Sequence, residues 1–293
     1  MEIVEFSGKI LCQSHLHLGE GPTYDPHTGT AYWFDILNRE LHELHVSSSR
    51  KTVHTLPVMG SVLARIDVAR QLLVADTGLF VRDVASGELT MLVAVEDNPS
   101  NRSNDGRVHP SGALWTSTMG RNGEKGVGAI YHVAGTTVTK LVGDLTTPNA
   151  ICFSPDGSAG FYVDTGVNKI MRVPLDSATG LPVGEATVFS DQSEAEGGVD
   201  GAISDLDGNL WSARWGEGAI DRYSPDGTHV ARYTLPASQG SCPAFFGESA
   251  DRIFVTSAWE GMTDEDRRHD PAAGQTFDLG ITVRGKFEPA FKL

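Results

Sequence analysis

The sequence predicts an all-β chain closed into a six-bladed β-propeller, and three observations carry that prediction. The first is recurrence. Aromatic or β-branched runs begin at Tyr32 (YWFDI), Leu72 (LLVAD), Leu114 (LWTST), Gly160 (GFYVD), Leu210 (LWSAR) and Ile253 (IFVTSA), spaced by 40, 42, 46, 50 and 43 residues. Such an interval accommodates a four-stranded antiparallel sheet and is too short for a βαβ pair with its crossovers. The second is turn chemistry between the runs, in a chain with 33 glycines, the residue that tight turns with positive φ favour. The third is the near absence of helix signals. The most helix-like stretch, MTDEDRRHD from Met262, is polar and reads as a loop or one short turn. Six separate small sheets would leave their edges open, and radial closure protects them. A β-sandwich or a pair of sheet domains is the competing arrangement, but no Pro/Gly/Ser-rich linker marks a boundary.

The stretch from Pro148 to Asp176 shows the repeating unit most plainly. Its short apolar runs AICF, AGFYV and KIMRV are separated by S-P-D-G and D-T-G-V-N, which are turn-forming sequences. Comparable signals precede other reference runs: Asp25-Pro-His-Thr-Gly29 before the first, His109-Pro-Ser-Gly112 before the third and Asp205-Leu-Asp-Gly208 before the fifth. The second has only Asp67-Val-Ala-Arg70. Closure requires the chain ends to meet. EIVEF near the start and DLGITVRG near the end are therefore expected to complete one blade together, which makes residues 1–293 a single propeller.

Composition narrows the partners. A formal net charge of -15 disfavours nucleic acid and anionic membrane, and it suits a small neutral substrate better than an anionic one. Three cysteines, Cys12, Cys152 and Cys242, leave one unpaired under any disulfide scheme and have neither zinc-knuckle nor C-x-x-C spacing. The N-terminal MEIVEFSGKI lacks a basic stretch followed by an apolar one, and no run approaches the roughly 18 apolar residues of a membrane span. The expectation is a soluble, reduced, cytoplasmic protein, monomeric or weakly dimeric. There is no H-E-x-x-H, P-loop or G-x-S-x-G motif.

The innermost strand of each blade should lie about ten residues before the reference run. Counting back reaches Glu20, Ser61, Asn104, Asn149, Asp200 and Cys242, all at one mouth of the central channel. Four of the six carry carboxylate or carboxamide oxygens, a donor set for a hard cation rather than a Cys/His zinc site. Each alone has a plainer reading as a turn or cap residue; recurrence at matched places argues for convergence.

Several longer segments carry a family resemblance: LGEGPTYD at Leu18, AYWFDI at Ala31, NRSNDGRVHPSGALWTSTMG at Asn101, GAIYHV at Gly128, TPNAICFSPDG at Thr147, VDGAISDLDGNLWSARWGEGAI at Val199 and PAFFG at Pro243. Over essentially its full length the chain resembles the SMP-30/gluconolactonase family, which includes regucalcin and bacterial sugar lactonases. The resemblance implies a six-bladed propeller with one divalent metal on its axis, held by Glu20, Asn149 and Asp200. It places Asn104 near that metal and gives Arg102 and Asn104 to substrate binding. Calcium is the first expectation, with zinc, manganese, magnesium or iron as alternatives. The family's PNG and PDG are here PNA and VDG, so the side chains implied as ligands are kept while their neighbours differ. Some animal members carry a sugar-contacting glutamate in the region that here offers Arg121, Asn122 or Glu124. The implied reaction is hydrolysis of an aldonolactone to its aldonic acid, with Asp200 as the catalytic base and Trp215 or Trp259 over the sugar ring. A metal-dependent esterase or phosphotriesterase, marked by an aromatic mouth instead of a polar one, is an alternative. So is a calcium-binding regulatory protein.

Overall fold

A computed structural model describes the whole chain, Met1–Leu293. Six β-sheets stand around one axis. Blade one runs outward through Gly19–Asp25, Thr30–Asp35, Glu40–His45 and Arg50–Thr55. Blade two contains Gly60–Arg65, Arg70–Ala75, Gly78–Asp83 and Leu89–Val93. Blade three contains Asn101–Val108, Leu114–Gly120, Gly128–Ala134 and Thr137–Leu145. Blade four contains Pro148–Phe153, Ala159–Asp164, Lys169–Pro174 and Thr187–Asp191. Blade five contains Gly198–Ser204, Leu210–Trp215, Ala219–Tyr223 and His229–Thr234. Blade six begins with Gly240–Phe246 and Arg252–Ser257. Each inner strand packs beside the inner strands of both neighbouring blades, and the sixth returns to the first.

The six recurring runs are the second strands of the blades. Leu114–Gly120, for example, is buried along its whole length. Both faces of a blade pack against neighbours, so these strands read as apolar runs instead of alternating. The core is accordingly divided into six clusters, one per blade–blade interface. Trp33 meets Phe254 between blades one and six, and Trp115 meets Phe153 between blades three and four.

The ends close the ring differently from the expected clasp. Blade six is completed by Thr276–Asp278 and by Lys9–Cys12, which pairs antiparallel with it. Glu2–Val4, the first part of EIVEF, instead lies parallel to His229–Thr234 on the outside of blade five. The chain after Asp278 is not a strand. Gly280, at φ +78°, turns it away against Gly8, where a Cβ would lie 2.5 Å from the Gly8 Cα. Ile281 and Val283 then pack on the cluster between blades five and six. Leu206 N donates to Arg284 O, Phe291 N to Arg65 O and Lys292 N to Gly112 O, so the last residues cross the propeller end. The polar stretch after Met262 forms a single short helix, Asp264–His269, capped by Thr263 and burying no residue. All three cysteines are free and buried. No helix is long and apolar enough to cross a membrane.

Candidate metal centre and substrate cleft

Every inner strand reaches the channel through an irregularity in its pairing. The register shifts between Glu20 and Thr23, Gly60 and Val62, Ser103 and Gly106, Asn149 and Cys152, Val199 and Ala202, and Gly240 and Cys242. The six matched sequence positions lie within or at the edge of these shifts. A bulge leaves a residue unpaired and re-aims its side chain, which lets oxygen-bearing groups turn toward the channel mouth. Two bulges use left-handed backbone directly after the matched residue, at Gly21 (φ +56°) and Ala150 (φ +56°). At Gly21 a Cβ would fall 2.0 Å from the Ser61 carbonyl oxygen, so only glycine fits.

Glu20, Asn104, Asn149 and Asp200 all line one cleft of about 460 Å³, together with Arg102. Asn149 Nδ2 donates to Thr165 Oγ1 at 3.0 Å, and Thr165 Oγ1 donates to Val199 O at 2.9 Å. This fixes the amide of Asn149. Asn104 Nδ2 donates to Asn149 Oδ1 at 2.8 Å and to Pro148 O at 3.0 Å, while Arg102 Nη1 donates to Asn104 Oδ1 at 2.8 Å. Asn104 thus links the guanidinium to the amide, and that network assigns its orientation. Behind it, Asp105 accepts from Ile151 N at 2.7 Å and from Gly106 N at 2.8 Å, tying blade three to the bulge of blade four. Ser61 and Cys242, the other two matched positions, do not line the cleft. Ser61 Oγ donates to Ser103 Oγ at 2.8 Å, and Cys242 lies against Gly201 with its Sγ 3.7 Å from Arg107 Nη2.

The electrostatics bear on whether these residues fit a cation. Burial, reinforced by the neighbouring Asp105 charge, pushes the Glu20 carboxyl up to about 8. Burial, followed by the charges of Glu20 and Asp105, also holds Asp200 well above the usual carboxylate range. Asp200 is 5% exposed, yet neither it nor Glu20 forms an ion pair with any basic side chain. Arg102 is turned to Asn104 and to Ser103 O; burial works against its charge, and Glu260 and then Glu20 favour it. Two acids, Asp200 buried and Glu20 half-buried, beside an amide oxygen and without an ion-pair partner are a fitting donor set for a hard divalent cation, which would supply the missing charge. No three His, Cys, Asp or Glu side chains gather as a metal site anywhere in the chain. A cation here would therefore rest on two carboxylates and carboxamide oxygen.

Residues beyond the inner strands complete the cleft. Arg121 and Asn122 line it, and Glu124 does not: its carboxylate accepts from Asn122 N and Nδ2 at 3.1 and 2.8 Å. Arg121 is held by Asp76 at 2.8 Å. Trp215 lines the cleft, whereas Trp259 stacks on His17 at 4.0 Å and faces a separate cavity beside the short helix. Thr165 and Glu260 are cleft residues that the backward count from the reference runs does not reach. The signal for them is a forward count, since antiparallel pairing brings the end of each second strand to the same mouth as the start of the inner strand.

The fold and the cleft define a six-bladed propeller with an acid- and amide-lined site at one channel mouth. The chain belongs to the SMP-30/gluconolactonase/LRE-like family, whose model matches residues 18–259. It is 59% identical to a protein of Rhizobium meliloti (strain 1021) provisionally named a sugar lactone lactonase, over 100% of this chain and 99% of that one. It is 35% identical to the L-arabinolactonase of Azospirillum brasilense, over 92% and 90% of the two chains. Among solved structures, a calcium-binding protein, regucalcin, from Agrobacterium tumefaciens str. C58 superposes with a TM-score of 0.99 at 56% identity, covering 100% of both chains.

Proposed function

We propose that the protein hydrolyses a neutral aldonolactone to its aldonic acid, with a divalent cation held by Glu20, Asn149 and Asp200. The observation that carries this reading is the gathering of these three side chains, from blades one, four and five, in the cleft that also holds Arg102 and Asn104. The lactonase names of the Rhizobium and Azospirillum relatives support the reaction class. The name of the Agrobacterium relative makes calcium the first cation to test, ahead of zinc, manganese, magnesium and iron. The cleft wall is mostly polar, with Trp215 its one aromatic residue, which favours a sugar over an apolar ester.

Glu20, Asn149 and Asp200 would hold a cation whose chemistry here would be Lewis-acid polarisation of a lactone carbonyl. The protein's own groups do the rest. Arg102, whose Nε and Nη2 are uncommitted, donates to ring and hydroxyl oxygens and orients the lactone, while Asn104, with both Nδ2 hydrogens engaged, holds that guanidinium through its Oδ1. Asp200 takes a proton from the attacking water. Water oxygen bonds to the carbonyl carbon, the ring C–O bond breaks, and the proton passes to the departing ring oxygen. The product is an open-chain hydroxy acid, and the net negative protein favours its departure. Acid release from a panel of four or five aldonolactones at pH near 6.5, before and after removal of bound cation by a chelator, tests the proposal. Turnover above spontaneous hydrolysis that disappears with the cation and returns with it is expected. No turnover on any lactone overturns the reading.

A further inference from the structure

We propose that Glu260 is a substrate-binding residue whose carboxylate accepts hydrogen bonds from hydroxyl groups of the sugar ring and so selects among lactones; this rests on the lactonase reading above. Glu260 lines the cleft together with Glu20, Arg102 and Trp215. Its main-chain oxygen accepts from Gln239 Nε2 at 3.2 Å, while its carboxylate makes no hydrogen bond or ion pair within the protein. Arg121, another charged group of the cleft wall, is already committed to Asp76. An ionised carboxylate can only accept hydrogen bonds, through about four lone-pair sites, and a polyhydroxylated ring brings donors.

The segment that presents Glu260 is fixed from several sides. The Trp259 ring lies parallel to His17 at 4.0 Å, and the Arg267 guanidinium sits 4.7 Å from its centroid. Trp259 N donates to His17 O at 3.2 Å, and Met262 N closes the turn on Trp259 O at 3.0 Å. The backbone that carries the side chain is thus placed before substrate arrives, which lowers part of the ordering cost of binding. Arg102 gives a donor and Glu260 an acceptor in the same cleft, and neighbouring sugar hydroxyls need both. A sulfonate or phosphate placed against Glu260 is repelled, so the site favours neutral lactones.

The test is kcat and KM for wild type, Glu260→Ala, Glu260→Gln and Glu260→Asp at saturating calcium, with bound calcium measured in each. The probes are neutral aldonolactones, deoxy analogues of the best one, and a sulfonated lactone. Glu260→Ala is expected to lose about 10- to 100-fold in kcat/KM, mostly through KM, the usual range for a hydrogen bond to a charged group. Glu260→Asp recovers part of the loss. One deoxy analogue is turned over equally by wild type and Glu260→Ala, and Glu260→Gln gains on the sulfonated lactone relative to the neutral one. Unchanged kcat/KM and selectivity in the variants of a lactone-active wild type overturn the proposal. So does loss of calcium from Glu260→Gln, which would make the residue a cation ligand. A wild type inactive on the whole panel overturns the lactonase reading itself, and this proposal with it.

Discussion

Ala150 occupies backbone that favours glycine. At φ +56° its Cβ crowds the following carbonyl, at a cost of roughly 1 kcal/mol, and it does so directly after Asn149. Ala150→Gly is expected to stabilise the fold by up to about 1 kcal/mol, less the entropy that glycine loses on folding, as read by denaturant unfolding. Gly21→Ala has the opposite sign, because its Cβ would meet the Ser61 carbonyl oxygen at 2.0 Å; it should both destabilise the protein and displace Glu20. That PNA departs from the family's PNG is visible in the sequence. That the departure falls on left-handed backbone is not, because the φ is imposed by the bulge between Asn149 and Cys152.

At the scale of the blade, Asp221 shows a buried charge held by pairing. Asp221 in blade five, 1% exposed, accepts from Arg214 Nε at 3.0 Å and from Arg232 Nε at 2.7 Å. Burial works against its charge, but the arginine and histidine contacts outweigh it and hold the carboxyl well below the usual range. A depressed carboxyl contributes stability that is present above its unfolded value of about 3.8 and is lost as pH falls toward the folded one. Asp221→Asn should therefore destabilise the protein at neutral pH by about 3–5 kcal/mol, by leaving buried Arg214 without its counter-charge. The difference in melting temperature between variant and wild type should shrink below pH 4. Six reference runs located the blades from the sequence because their second strands are buried on both faces. The terminal strands were harder to place. Lys9–Cys12 is a four-residue edge strand and Thr276–Asp278 a three-residue strand inside it, whereas EIVEF and DLGITVRG are the more strand-like sequences, and Gly280 turns the latter away from the sheet.

Across the whole molecule, ring closure brings together side chains that are far apart in the chain. Glu20 and Asp200 meet in one cleft, and their raised carboxyls must ionise before a cation binds. Calcium added to the stripped protein at pH near 6.5 should release protons, measured by titration in weak buffer, and should raise the melting temperature by mass action. No proton release and no shift would argue against the ligand set. The inner-strand half of the cleft was legible because matched positions recur 10 to 12 residues before each reference run. Thr165 and Glu260 lie beyond the ends of second strands, in segments that share no residue pattern between blades. Asn149 and Asp200 come from adjacent blades, so exchanging their chemistry tests the assembled site most directly. The measurement is kcat at calcium saturation for Asp200→Asn and Asn149→Asp on the best lactone at pH near 6.5. Asp200→Asn, which loses the proton acceptor, is expected to fall by about 10²–10⁴-fold, while Asn149→Asp, which keeps it, falls less; equal kcat for Asp200→Asn and wild type would contradict the role of Asp200 as base.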